Sequence, residues 1–123
     1  MDMQGYQHYK AQSISTMTRG ELLMLLYDEL VKRLTRAELA LNKKDYPLFE
    51  QSVTRCREIL RYLDDTLDMQ YPISRDLHRL YDYFSYELSR VQVGRNAEVL
   101  AAVKPQLTDL RDTFREAQKT GGI

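Results

Sequence analysis

Tryptophan is absent from these 123 residues, cysteine occurs once, and proline and glycine are scarce, at three and five. The lone Cys56 excludes an internal disulfide and a cysteine-built zinc site within one chain, and a free thiol fits a reducing compartment. So little glycine and proline leaves few turns, which argues against a β-sandwich and for long helices. Neither sign of charge is in excess, with 18 basic and 18 acidic residues. Without a dense Lys/Arg face, nucleic acid is not an expected partner. No apolar run approaches the ~20 residues of a membrane span, and residues 1–10 lack the apolar core of a signal peptide. The expectation is a cytoplasmic protein with no membrane partner.

What is present is helical periodicity. Hydrophobic residues make up 43% and charged residues 29%, a balance that supports one domain with its own core. Residues 1–17 show no sustained stripe and read as an N-terminal arm. Thr18 and Glu21 then form a Thr-x-x-Glu capping box, followed by Leu23, Leu26, Leu30, Leu34, Ala37 and Leu41 on one face. Asn42 to Pro47 is a break, with Pro47 suited to an early helix position. Phe49, Val53, Cys56, Leu60, Leu63 and Leu67 alternate steps of four and three, a seam of period 3.5. Asp68 to Ser74 is the second break, with Ser74 as the expected cap. Leu77, Tyr81, Phe84, Leu88 and Val91 form the third seam. Gly94 is the expected left-handed stop and Asn96 the next cap. Leu100, Val103, Leu107, Leu110, Phe114 and Ala117 form the fourth, with Pro105 expected to kink or split it. Short connections make sequential helices antiparallel. The predicted fold is all-α: an up-down-up-down four-helix bundle over residues 18–119, with an arm at 1–17 and a disordered tail at 120–123.

Reactive constellations are missing. A di-iron bundle needs Glu-x-x-His on two helices, but Gly5 and Arg75 stand three residues before His8 and His78. No metal is expected. Histidine phosphotransfer domains are bundles of similar length with one exposed helical histidine, and His78 fits that outline. Such domains carry a Lys-Gly pair soon after the histidine, where this chain has bulky Arg79-Leu80-Tyr81-Asp82. Cys56 lies on a core seam with no histidine to activate it, and reads as a small buried hydrophobe. No glycine-rich phosphate loop or dinucleotide fingerprint is present. The chain is not expected to be an enzyme or to hold a cofactor.

Apolar and aromatic residues are in surplus. Nine tyrosines are present, and Tyr81, Tyr83, Phe84 and Tyr86 cannot all face inward on one stripe. With Tyr62 and Tyr71 nearby, a groove between the second and third helices would suit a partner's amphipathic helix. Periodicity alone leaves a wide core stripe with snorkelling tyrosines equally admissible.

The run Ile14-Ser15-Thr16-Met17-Thr18-Arg19-Gly20-Glu21-Leu22, then Leu25-Leu26-Tyr27-Asp28, resembles the helix-one signature of the flagellar secretion chaperone FliS family, roughly V-x-T-A-S-P-x-E-L and M/L-L-Y-D. Tyr6-x-x-Tyr9 is similar to that family's tyrosine-bearing arm. Leu60-x-x-Leu63 to Leu67-Asp68, Leu77-x-x-Leu80-Tyr81-Asp82-Tyr83 and Leu110-Arg111-Asp112-Thr113-Phe114 resemble its later helices, in order and spacing. Arg19 replaces a first-turn proline, Met17 a small residue, and Phe114 a common tryptophan whose core role it should keep.

The resemblance implies a cytosolic chaperone that binds the disordered C-terminal segment of flagellin, prevents premature polymerisation and presents it to the export gate. The residues expected to meet that partner are Tyr6, Tyr9, Leu60, Leu63, Leu67, Tyr71, Leu77, Leu80, Tyr81, Tyr83 and Phe84. An uncovered track would also invite self-association. A generic helical adaptor, or phosphotransfer through His78, is the alternative.

Overall fold

The structure, a computed structural model, describes residues 17–120. Four helices account for nearly all of them: α1 (Arg19–Asn42), α2 (Tyr46–Asp65), α3 (Ile73–Gly94) and α4 (Ala97–Lys119). α1 packs against α2 and α4, and α3 packs against the same two, closing an antiparallel ring of four. At 1.5 Å per residue the helices are each about 30–36 Å long. Residues 1–16 and 121–123, with the expectations placed on Tyr6, Tyr9 and His8, lie outside the described residues.

The seams read from periodicity form the core. Leu30, Leu34, Phe49, Val53, Leu60, Leu88, Val91 and Leu107 are fully buried, each contributing roughly 1.5–3 kcal/mol by leaving water. Cys56 is buried among them and its Sγ–H faces the Leu30 carbonyl at 3.7 Å. Burial pushes that thiol up to about 12, so it stays protonated and unreactive.

Helix ends follow local chemistry, with three departures from expectation. Thr18 Oγ1 accepts the Glu21 N–H at 3.1 Å, and the Thr18 hydroxyl donates to Glu21 Oε1 at 3.2 Å. Asp45 and Asn96 cap α2 and α4 by accepting the N–H of Leu48 (3.3 Å) and Val99 (3.1 Å). Ser74, the expected cap of α3, instead lies inside the helix, buried, with its hydroxyl donating to the Asp68 carbonyl at 2.6 Å. It ties the α2–α3 connection down, while Pro72 occupies the cap position without a side-chain bond.

The left-handed residue after α3 is Arg95 (φ 48°), not Gly94. The Arg95 guanidinium sits 3.7 Å over the Tyr46 ring, a cation–π contact worth about 0.5–1 kcal/mol that partly offsets the roughly 1–2 kcal/mol cost of a non-glycine residue in that region. Pro105 does not split α4, which runs unbroken through it. The proline is exposed, and Leu100, Val103 and Leu107 hold both halves of the helix on the bundle through their buried faces.

Candidate functional site: an apolar cavity at the open end of the bundle

The two ends of the bundle differ. Where α1 begins, α2 ends, α3 begins and α4 ends, the helices enclose an open cavity of about 720 Å³. Its walls are apolar and come from all four helices: Leu23 of α1, Leu63 of α2, Leu77 and Leu80 of α3, and Leu110 and Phe114 of α4. The α2–α3 connection, residues 66–72, is the longest of the three and forms one rim, with Tyr71 62% and neighbouring Ile73 60% exposed.

A hydrogen bond to the rim and ion pairs between α1 and α4 brace this half of the bundle. Arg19 donates from Nη2 to the Thr66 carbonyl at 2.8 Å. The substitution for proline thus supplies a cation at the C-terminus of α2, where the helix dipole favours one. Asp28 of α1 receives Arg115 (2.7 Å) and Arg111 (3.8 Å) of α4. Deeper in, the Tyr27 and Tyr81 hydroxyls hydrogen-bond to each other across the bundle, linking α1 to α3. Both rings are buried, and burial raises both phenol pKa values above their ordinary range. Tyr81 lines the cavity, and the Tyr27 ring stacks on Phe114, centroids 4.9 Å apart. Phe114 is therefore half-buried between the core and the cavity, not a fully interior residue.

The family model described as "Flagellar protein FliS" matches residues 2–121. The chain belongs to that family. It is 28% identical over 112 residues to the flagellar secretion chaperone FliS of Bacillus subtilis (strain 168), covering 91% of this chain and 84% of that one. A solved structure described as a flagellar chaperone from bacteria superposes with a TM-score of 0.77 at 23% identity, covering 98% of this chain and 99% of that chain, which speaks to the fold. No FliS-like helix among the described residues is long and apolar enough to cross a membrane.

In this FliS-family bundle, six of the residues singled out from sequence line the cavity: Leu63, Leu67, Tyr71, Leu77, Leu80 and Tyr81. Leu60 and Phe84 do not; they are buried on the seams, one turn deeper. Tyr83 lies on the exposed side of α3, edge-on to Phe84 with ring centroids 5.3 Å apart. Sequence reasoning missed Leu23, Leu110 and Phe114 as wall residues, because it sought a groove between two helices only. The signal was available: in an antiparallel bundle the start of α1 and the end of α4 lie at the same end as the α2–α3 connection.

His78 stands apart from the cavity on the exposed α2–α3 surface. Its Nδ1 lies 2.6 Å from Asp64 Oδ1 and its Nε2 3.3 Å from Asp82 Oδ2. The hydrogen bond to Asp64, with the charges of Asp64 and Asp82, raises its pKa above the ordinary imidazole value. One ligand atom from each of the three lies within 4.8 Å of the others, so they are the described residues able to approach a cation together. Each ring nitrogen already faces a carboxylate, which is the arrangement of an imidazolium clasp between α2 and α3.

Proposed function

We propose that this FliS-family protein is a cytosolic export chaperone whose open cavity seats part of the C-terminal segment of flagellin, preventing premature polymerisation and delivering the segment to the export apparatus. The supporting observation is the cavity itself. Its ~720 Å³ is of the size of concave binding sites, and its leucine and aromatic walls face water unless something covers them. An apolar segment that is disordered when free gains by folding onto such a surface, and its ordering cost is met by the apolar area it buries.

Tyr6 and Tyr9 fit the same reading. In this reading the arm, which precedes α1, covers the walls in the free protein and yields to the guest. Tyr6→Ser with Tyr9→Ser should leave global stability unchanged while raising self-association or altering guest affinity. Ultracentrifugation and calorimetry that show neither change would remove the arm from the account. Phosphotransfer through His78 finds less support, since both ring nitrogens face carboxylates that repel an incoming phosphoryl group.

The direct test is calorimetry of the full chain with a flagellin C-terminal segment, comparing wild type with Leu80→Arg. Leu80 is 39% exposed on the cavity wall, so the change should leave the fold intact and weaken binding by about tenfold or more, the cost of leaving a charge against a buried apolar surface. Absence of binding to wild type would favour a generic adaptor.

A further inference from the structure

The flank of the bundle formed by α3 and α4 carries charge that the neighbouring helices do not use. Opposite its buried seam, α3 presents Arg75, Arg79, Tyr83, Tyr86, Arg90 and Val93 at steps of three and four, all exposed. Opposite its own seam, α4 presents Glu98, Ala102, Pro105, Asp109, Asp112 and Glu116, also exposed. The first stripe holds three cations and no acid, the second four acids and no cation. Ion pairs join α1 to α4 and α2 to α3, but among the described residues none joins α3 to α4, and none holds Arg75, Arg79 or Asp109. Arg90 meets Glu87 at 3.2 Å, Asp112 meets Arg111 at 3.0 Å and Glu116 meets Lys119 at 3.3 Å, each within its own helix. Local surface pairs of this kind are weak and leave the charges available to a stronger partner.

We propose that this flank is the docking surface for a second copy of the chain, with α3 of each copy set on α4 of the other about a twofold axis parallel to the helices. Height matches as well as sign. α3 and α4 are antiparallel and joined by residues 95–96 alone, so residues equally far from that connection stand at the same level. Arg75 is level with Glu116, Arg79 with Asp112, and Tyr86 with Pro105, while Tyr83 is one residue from the level of Asp109. A twofold along the bundle keeps every height and exchanges the two helices. It therefore lays Arg75 and Arg79 of one copy over Glu116 and Asp112 of the other, and the Tyr86 ring on Pro105, each contact made twice. A partner of one charge sign is attracted by one stripe and repelled by its neighbour; a second copy satisfies both. Tyrosine and arginine are also the side chains that anchor interfaces. Two helices side by side present a face of roughly 33 by 18 Å, about 600 Å² per copy, which puts the pair near ~1,200 Å², the lower end of specific interfaces. Such a dimer is weak and salt-sensitive, not obligate. None of the paired residues lines the cavity, and the twofold leaves both cavities open at the same end.

Sedimentation equilibrium of the full chain tests this, and no guest is needed. Wild type should dimerise in the micromolar range, weakening about tenfold or more between about 0.1 M and 1 M salt as the screening length falls from ~10 to ~3 Å. Arg79→Glu or Asp112→Arg alone sets like charges against each other twice per dimer and should weaken association at least about tenfold. The two reversals together restore the pairing, so the double variant should return to within about threefold of wild type. Both sites are exposed, so denaturant melts of all three variants should stay close to wild type. Tyr71→Arg, at the exposed cavity rim, should leave dimerisation unchanged. A chain that stays monomeric at about 500 µM in low salt would overturn the proposal. So would a dimer that ignores both charge reversals, and its loss in Tyr71→Arg would then put the contact at the cavity.

Discussion

The two ends of this bundle are built from the same four helices and the same seams, yet one is filled and the other is not. At the closed end, Ala37 and Ala40 of α1 let α2 approach closely, Phe49 fills the space, and Val91 and Leu100 complete the layer; all are 2% exposed or less. Its connections are short, residues 43–45 and 95–96. At the open end the longer 66–72 connection holds the helix ends apart, Tyr71 and Ile73 turn outward, and leucines that would complete a core layer line a cavity instead. A bundle can thus keep its stability at one end and its binding surface at the other, because packing at each level of a helix bundle is largely local. Removal of the Arg19 tie or the Asp28 cluster would loosen the open end without touching the closed one.

The sharpest contrast lies between two phenylalanines. Phe49→Ala should cost about 3–5 kcal/mol, since a fully buried ring leaves a cavity that cannot collapse. Phe114→Ala should cost well below that, about 1–2 kcal/mol, because one side of its ring already faces the open cavity. Equal losses in denaturant melts would erase the distinction between the ends. Next in size are the caps. Asn96→Ala, at the closed end, should cost about 1 kcal/mol, and Thr18→Ala, at the open end, a similar or smaller amount.

The His78 clasp gives a pH signature. Its folded pKa is raised above the ordinary ~6.5 by Asp64 and Asp82. The folded state therefore holds the proton more tightly than the unfolded chain. The stabilisation is fully present below the ordinary value and fades as pH rises through the raised folded one. His78→Gln should flatten stability against pH across that window, and an unchanged profile would show that the clasp is not formed in solution.

The smallest effect is expected at Gly20. A Cβ there would come within 2.1 Å of Gln118 Nε2, but that atom ends a flexible side chain and can swing away. Gly20→Ala should then raise stability by less than about 1 kcal/mol through helix propensity. A clear loss in melts would mean that Gln118 is held in place at the α1–α4 contact.

The helices and their seams were legible because a 3.5-residue period over five or six positions has one folded solution. Cap details were less so: Ser74 and Gly94 fit their expected roles by type, but the hydrogen bond to Asp68 and the stacking of Arg95 on Tyr46 depend on partners that only the folded chain brings close. The cavity was half legible. Leu63, Leu67 and Leu77 could be picked out as the seam residues nearest the α2–α3 connection, with Leu80 beside them. Depth could not, and so Leu60 and Phe84, one turn further in, belong to the core. Leu23, Leu110 and Phe114 required the four helices to be placed side by side before their shared level was visible.

The central claim is that the guest is taken at the open end, and backbone and methyl chemical shifts of the full chain on titration with a flagellin C-terminal segment test it most directly. The account predicts that the changes gather on Leu23, Leu67, Leu77, Leu80 and Leu110, with Phe49, Val91 and Leu100 silent. Changes centred on the closed end, or on the outer face of α3 around Tyr83 and Tyr86, with the cavity residues unmoved, would contradict it.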